Sequence, residues 1–164
     1  MGNPILRDDA VGIRLAADIG QRLGKVPGLD VVAGCSAGGL ELLPVIQGYA
    51  RLIVFDSIRT RGGTPGTWYR FTAADLQETM NLTSVHDTNF ATALELGRRL
   101  GQDVPAADMS HIFAVEILDN MTFDERMSPL LEEAYPGCLR AILPQVEALV
   151  RERPRHVLPG GVPA

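Results

Sequence analysis

The chain has 164 residues, 46% of them hydrophobic, and a net charge of −5 from acids and bases that are mixed along the sequence. This composition suits one domain with a sizeable core, and without a Lys/Arg-rich run a nucleic-acid partner is not expected. No charged leader precedes an apolar segment and no apolar run is long enough for a bilayer, so a soluble cytoplasmic protein with reduced Cys35 and Cys138 is the default expectation.

The first part of the chain predicts helices that alternate with short apolar strands. From Val11 onward, apolar residues recur at helical spacing, which predicts an amphipathic helix. The run RLIVF has no polar alternation after Arg51 and is typical of a strand covered on both faces. The predicted elements are a helix over 10–23, a strand over 30–33, a small-residue loop over 34–39, a helix over 40–49 and a strand over 51–55.

The second part continues this alternation. It predicts a turn over 61–67, a strand over 68–71, helices over 73–80 and 88–100, a strand over 111–115 and a last helix from Ser128. Pro136-Gly137 is expected to break or kink that helix, and the tail from Pro154 to be flexible. The pattern predicts an α/β fold over residues 1–153, a three-layer sandwich with a mostly parallel, twisted sheet flanked by helices.

Candidate chemistry is carried by acids and one histidine near the predicted carboxyl ends of strands. Asp8 and Asp9 stand at a helix entrance, Asp56 follows a strand, and His86 precedes a helix. Each has an ordinary structural interpretation as a cap or turn residue, and Asp8 is expected to be such a cap, worth about 1 kcal/mol. Ligands of α/β sheets gather at this edge, so Asp9, Asp56 and His86 could instead converge there as an incomplete shell for nickel or zinc.

Other interpretations fit less well. The sequence has no GxGxxG, no Walker A and no GxSxG motif. Cys35, in the loop GCSAGG, is conceivable as a nucleophile with His86 as its partner. Glu116 follows a predicted strand and could approach the same edge, although a solvated or hydrogen-bonded acid is the more ordinary reading.

Four segments in order resemble the hydrogenase maturation proteases, the endopeptidases that trim the C-terminus of the large subunit of nickel-iron hydrogenases. The segment GNPILRDDAVG looks like the opening motif of the family, and LIVFDSIRTRGGTPGTWYRF like its strand that ends in Asp, with the loop that follows. LTSVHDTNFATALELGRRLG is similar to its Ser-x-His segment and MSPLLEEAYPGCLRAILPQVEALV to its last helix. The resemblance extends from Gly2 to about Val150.

The resemblance implies a site, a cargo metal and a partner. Asp9, Asp56 and His86 correspond to the metal-contacting and catalytic residues of the family, and the nickel is expected to be carried by the hydrogenase large-subunit precursor, with no organic cofactor. Polarisation of the carbonyl or activation of a water by the metal, and general-base catalysis by a carboxylate, both remain open routes to hydrolysis. The alternatives are a non-cleaving binding module or chaperone for a metal-loaded partner, and an α/β metallohydrolase with a small substrate.

The sequence departs from the family pattern in two places. A hydrophobic strand usually leads into the Gly-Asn of the opening motif, and here only Met1 precedes Gly2. We therefore expect that the first strand of the family is missing because the start codon was assigned too far downstream, a hypothesis that the intact mass of the native protein tests. The loop GCSAGG stands where the family usually has Asp-Gly-Gly-Thr, which bears on substrate preference.

Overall fold

The computed structural model describes residues 1–35, 39–78 and 85–152, with only the backbone described for 77–78 and 85–89. The centre of the predicted small-residue loop, the end of the helix predicted over 73–80 and the predicted tail lie outside these residues. In chain order, the elements are α1 (Val11–Leu23), α2 (Leu43–Ile46), β1 (Leu52–Ile58), β2 (Trp68–Thr72), α3 (Ala73–Glu78), α4 (Val85–Arg99), β3 (Ser110–Glu116) and α5 (Pro129–Arg151).

The described strands form one mixed sheet in the order β1-β3-β2. β1 and β3 are parallel, with Leu52 opposite Ser110 and Ile58 opposite Glu116. β2 runs antiparallel to β3. All of β3 is buried, as expected of a central strand that is covered on both faces. The α/β class is therefore confirmed, and the antiparallel β2 makes the small sheet mixed.

Two hydrophobic cores lie on opposite faces of the sheet. One combines α1 and α5 with Phe55 and Phe113, and the other combines α2, α3 and α4 with Val54 and Ile112. Because successive side chains of a strand point to opposite faces, neighbouring residues of β1 and β3 supply different cores. The result is the predicted arrangement of three layers, helices on a sheet on helices.

The helices agree with the sequence in position more than in length. α1 confirms the amphipathic helix, whereas the helix predicted over 40–49 is reduced to a 3₁₀ turn (Gly39–Leu42) and one turn of α2. Of the break or kink predicted at Pro136-Gly137, the break is wrong, because α5 continues through both Pro136 and Pro144. Burial of one continuous apolar face of α5 offsets the hydrogen bonds that the prolines remove. Among the residues that the structure describes, every helix is too short or too polar to cross a bilayer.

The strand predicted over 30–33 does not form, and Val31 and Val32 are instead 47% and 56% exposed. A cavity of about 310 Å³ separates this segment from the outer edge of β1, with Ile19, Val31 and Ile53 among its lining residues. Among the described residues, no strand pairs with the outer edge of β1. Residues 30–33 therefore have no neighbouring strand with which their backbone amides and carbonyls could form hydrogen bonds. The expectation that the first strand of the family is missing before Gly2 is not tested by this structure and stays a prediction.

Gly12 lies where α1 packs tightly on the backbone of β1. A Cβ atom at this position would lie 2.4 Å from the carbonyl oxygens of both Met1 and Phe55, and neither backbone atom can rotate away. We expect Gly12→Ala to lower the free energy of unfolding by about 1–3 kcal/mol, although alanine is the better helix former.

The matched control for Gly12 is Gly137→Ala in α5, where the nearest atom to an added Cβ is the mobile Nη2 of Arg140 at 3.8 Å. This variant should gain about 0.5–1 kcal/mol from helix propensity alone. Urea denaturation of both variants measures the difference. A Gly12→Ala protein as stable as the original would contradict the close packing of α1 on β1.

Candidate functional site

The N-terminal turn is fixed by backbone hydrogen bonds to the segment that follows β3. The amide of Arg7 donates to the carbonyl of Asp124 (2.9 Å) and that of Asp8 to the carbonyl of Asp119 (3.1 Å). Arg7 has φ +33°, in the left-handed region that L residues rarely adopt and that costs about 1 kcal/mol. This conformation turns the chain between Leu6 and Asp8, and the two acids that follow point to different surroundings.

Asp8 is a buried structural residue. Its side chain is fully buried, and its Oδ2 accepts hydrogen bonds from the amides of Leu118 (3.1 Å) and Asp119 (3.0 Å) and from the hydroxyl of Ser128 (2.9 Å). Its Oδ1 accepts one from the amide of Ser128 (2.6 Å). The prediction that Asp8 is a helix cap is wrong, because all of these donors come from other segments. Ser128 begins α5 as expected, but its hydroxyl is directed to Asp8 and caps no amide of the helix.

Asp9 points to the carboxyl end of β1. Its Oδ1 accepts a hydrogen bond from the hydroxyl of Ser57 (2.6 Å), and its Oδ2 accepts one from the amide of Asn3 (2.8 Å). Gly2 makes this arrangement possible, because its φ is +132° and a Cβ there would lie 2.1 Å from the carbonyl oxygen of Asp9. The sequence motif GNP thus folds back onto Asp9.

Asp56 and Ser57 are adjacent in β1 and belong to opposite faces of the sheet. Val54 packs in the core under α4 and Phe55 in the core under α1, so alternation puts Asp56 on the α4 side and Ser57 on the α1 side. The amide of Ser57 also donates to Oδ1 of Asp56 (2.9 Å). Ser57 therefore contacts both predicted metal ligands, one with its hydroxyl and one with its backbone.

The charges of the same two carboxylates both act on the amino group of Met1. The amino group of Met1 lies beside the middle of β1, where it donates a hydrogen bond to the carbonyl of Phe55. Burial lowers the pKa of this amino group, while the negative charges of Asp56 and Asp9 oppose that shift. The net shift is downward, so burial outweighs the attraction of the two acids for this amino group.

His86 lies in the first turn of α4, but its side chain falls outside the described residues. Among the side chains that are described, no group of at least three His, Cys, Asp or Glu residues is arranged to hold a metal ion. The structure thus places Asp9 and Asp56 near the carboxyl end of β1. It does not test the predicted role of His86 as the third metal ligand, nor the alternative pairing of Cys35 with His86. Cys35 itself is partly exposed and lies on the cavity beside β1.

Glu116, at the end of β3, is a buried hydrogen-bonded acid. Its carboxylate accepts from the amide (2.5 Å) and the hydroxyl (3.0 Å) of Thr60, and its own backbone bonds to Gly66 and Thr67. A Cβ on Gly63 would lie 2.1 Å from the carboxylate, so the turn packs directly on it. Glu116 therefore shapes the turn after β1, consistent with its ordinary structural reading.

Ser57 and the amide of Asn3 are site components that sequence reasoning missed. The available signals were indirect: a serine next to Asp56 in an apolar strand, and an asparagine fixed between Gly2 and a proline. Neither pattern reveals a contact with Asp9, because that contact depends on how α1 docks on β1.

Comparisons with known proteins agree on one family. The sequence model of the hydrogenase maturation proteases matches residues 13–145, which include Asp56 and His86 and begin just after Asp9. Hydrogenase 2 maturation protease of Escherichia coli K12 is 25% identical over 154 residues, 93% of this chain and 93% of that protein.

Solved structures show the same fold. The hydrogenase maturating endopeptidase HybD of E. coli superimposes with a TM-score of 0.71 at 24% identity, over 90% of this chain and 88% of the other. The [NiFe] hydrogenase maturation protease HybD of Thermococcus kodakarensis gives a TM-score of 0.62 at 17% identity, over 92% of this chain and 95% of the other.

Proposed function

Since this chain belongs to the hydrogenase maturation protease family, we propose that it is an endopeptidase that removes a C-terminal extension from a nickel-loaded hydrogenase large-subunit precursor. In this proposal Asp9, Asp56 and His86 contact the nickel that the precursor carries. The metal is part of the substrate, and its presence reports that the precursor is ready to be cut.

The observation that carries this proposal is that Asp9 and Asp56 both lie near the carboxyl end of β1, where each contacts Ser57. Two segments far apart in sequence supply the two acids, and Ser57 hydrogen-bonds to both. Ligands of α/β sheets bind beyond the carboxyl ends of strands, where loops from different parts of the chain meet. Carboxylates there are suited to a divalent cation that leaves coordination positions open for other groups.

The direction of α4 supports a role for His86. α4 leads into β3, which begins at the amino edge of the sheet. Because α4 returns the chain to the amino edge, its first turn lies toward the carboxyl edge, and His86 is in that turn. Phe90, one turn further along α4, packs in the same core as Val54, two residues before Asp56. Backbone position therefore favours His86 as the imidazole ligand next to Asp56.

The proposed chemistry follows from metal-anchored positioning. Two carboxylates and an imidazole would bind the open face of the substrate nickel and hold the scissile peptide bond beside the acids. The substrate metal supplies Lewis acidity toward the carbonyl or a bound water, and a carboxylate can accept the proton of that water. A precursor without nickel offers no anchor, so it would dissociate uncut.

A cleavage assay tests the proposal. Purified protein is mixed with hydrogenase large-subunit precursor that is loaded with nickel or kept nickel-free, and intact masses are recorded over time. We expect only the nickel-loaded precursor to lose mass, by one defined C-terminal peptide. The reason is that the acids reach the scissile bond only through the bound metal.

Two outcomes would contradict this function. Tight binding of the loaded precursor without any change in its mass would favour a non-cleaving chaperone. Equal cleavage of loaded and nickel-free precursor, or of short unrelated peptides, would show that nickel is not what the acids recognise.

A further inference from the structure

We propose that Ser57 is a positioning residue that orients the Asp9 carboxylate for the substrate metal, an inference that rests on the proposed function. No motif in the sequence marks this serine, and its role emerges only from the packing of the N-terminal turn on β1. Its hydroxyl donates to Oδ1 of Asp9 at 2.6 Å, the length typical of a charge-assisted hydrogen bond between a hydroxyl and a carboxylate.

The two hydrogen bonds of Asp9 fix the rotation of its carboxylate. The Ser57 hydroxyl binds one oxygen, and the Asn3 amide binds the other at 2.8 Å. A carboxylate oxygen has two lone-pair directions, so one donor on each oxygen still leaves a direction open for a cation. Without the hydroxyl, the carboxylate would keep one anchor only and could rotate about its Cβ–Cγ bond.

Ser57 also couples Asp9 to Asp56. The side chain of Ser57 binds Asp9, and its amide donates to Oδ1 of Asp56 at 2.9 Å. Because a strand holds its own backbone rigidly, the separation of the two acids is set through a single residue of β1. Donors of this kind, behind a metal-binding carboxylate, typically change metal affinity or activity by about 10–100-fold when removed.

The alternative role for Ser57 is a purely structural one. The hydrogen bond to Asp9 joins the N-terminal turn to β1, and its loss would also cost about 1 kcal/mol or somewhat more of stability. Substitutions that separate orientation from stability are therefore needed. Threonine keeps the hydroxyl and suits a strand, whereas alanine removes only the oxygen.

The test compares kcat/KM for the nickel-loaded precursor among wild type, Ser57→Ala and Ser57→Thr. We expect a loss of about 10–100-fold for Ser57→Ala. Ser57→Thr should recover most of the rate, within about 3-fold of wild type, because the hydroxyl that orients Asp9 is restored. Circular dichroism at the assay temperature confirms that each protein is folded.

Ser110→Ala is the matched control. Its hydroxyl is buried at the start of β3 and donates to the carbonyl of Ala106 (3.0 Å), at the opposite edge of the sheet from Asp9. It should lower stability to a similar extent and leave kcat/KM unchanged. Wild-type kinetics for Ser57→Ala, an equal loss in Ser110→Ala, or no recovery in Ser57→Thr would each overturn the inference. A wild-type protein that does not cleave would instead refute the proposed function, and the inference with it.

Discussion

Asp9→Ala is expected to reduce processing of the nickel-loaded precursor by at least about 100-fold while the protein stays folded. Asp9 is partly buried, and its carboxylate receives two hydrogen bonds from the described residues, one from the hydroxyl of Ser57 and one from the amide of Asn3. Both donors lie near solvent, so water can replace the carboxylate and the loss of stability should be small. The lost function is larger because a metal ligand would be removed. Intact-mass measurements over time give the rate.

The same experiment extends to the other two members of the proposed set. Asp56→Ala and His86→Ala should show losses of similar size, since each would remove one ligand of the substrate metal. The control is Asp75→Ala, which removes an exposed carboxylate that accepts hydrogen bonds from the amide and the hydroxyl of Thr72. It should process at the wild-type rate. Unimpaired processing by Asp9→Ala or Asp56→Ala would remove these acids from the site.

Asp8→Ala is expected to cause the largest loss of stability, about 3 kcal/mol or more in the free energy of unfolding. The substitution would leave the amides of Leu118, Asp119 and Ser128 and the hydroxyl of Ser128 without their acceptor, and the two Ser128 donors are buried. For a chain of this length, such a loss lowers the melting temperature by about 6–12 °C. Urea and thermal denaturation measure both quantities.

Asp18→Ala provides the comparison for Asp8. Among the described residues, Asp18 accepts a hydrogen bond from the hydroxyl of Tyr135 (2.7 Å), in a partly buried position between α1 and α5. Burial and this hydrogen bond raise the pKa of Tyr135, so the hydroxyl remains a donor at neutral pH. Removing Asp18 should therefore cost only about 1 kcal/mol. If Asp8→Ala proved no more destabilising than Asp18→Ala, the four-donor network around Asp8 would be contradicted.

The contrast between Asp8 and Asp9 shows what the sequence could predict. The α/β class and most of the order of helices and strands follow from periodicity. The abrupt end of an apolar run puts Asp56 just after a predicted strand that ends at Phe55, whereas β1 continues to Ile58 and includes Asp56. The placement of Asp9 and Asp56 near the same carboxyl end of the sheet follows from the general geometry of α/β sheets. These features depend on local pattern and on rules that many α/β proteins share.

Features that depend on specific long-range contacts were not predictable in this way. Two adjacent aspartates look alike in sequence, and only the φ of Arg7 and the docking of the 117–128 segment turn one of them inward. Similarly, Pro136 marks a helix break by propensity, but burial of Tyr135, Cys138 and Ile142 along one face of α5 maintains the helix. The 30–33 segment has strand-like residues and no partner strand among the described residues.

The outer edge of β1 has a consequence for how this protein behaves in concentrated solution. Alternate amide and carbonyl groups of the strand face the 310 Å³ cavity, and the walls of that cavity are largely aliphatic. Such an edge is a template for any extended apolar polypeptide that can complete its hydrogen bonds, including the same strand of another copy. Within the described chain, Asp56 is the only charged side chain on β1 that opposes such stacking. In the described part of the chain, the outer edge of β1 is therefore a site at which copies of this protein could associate edge to edge.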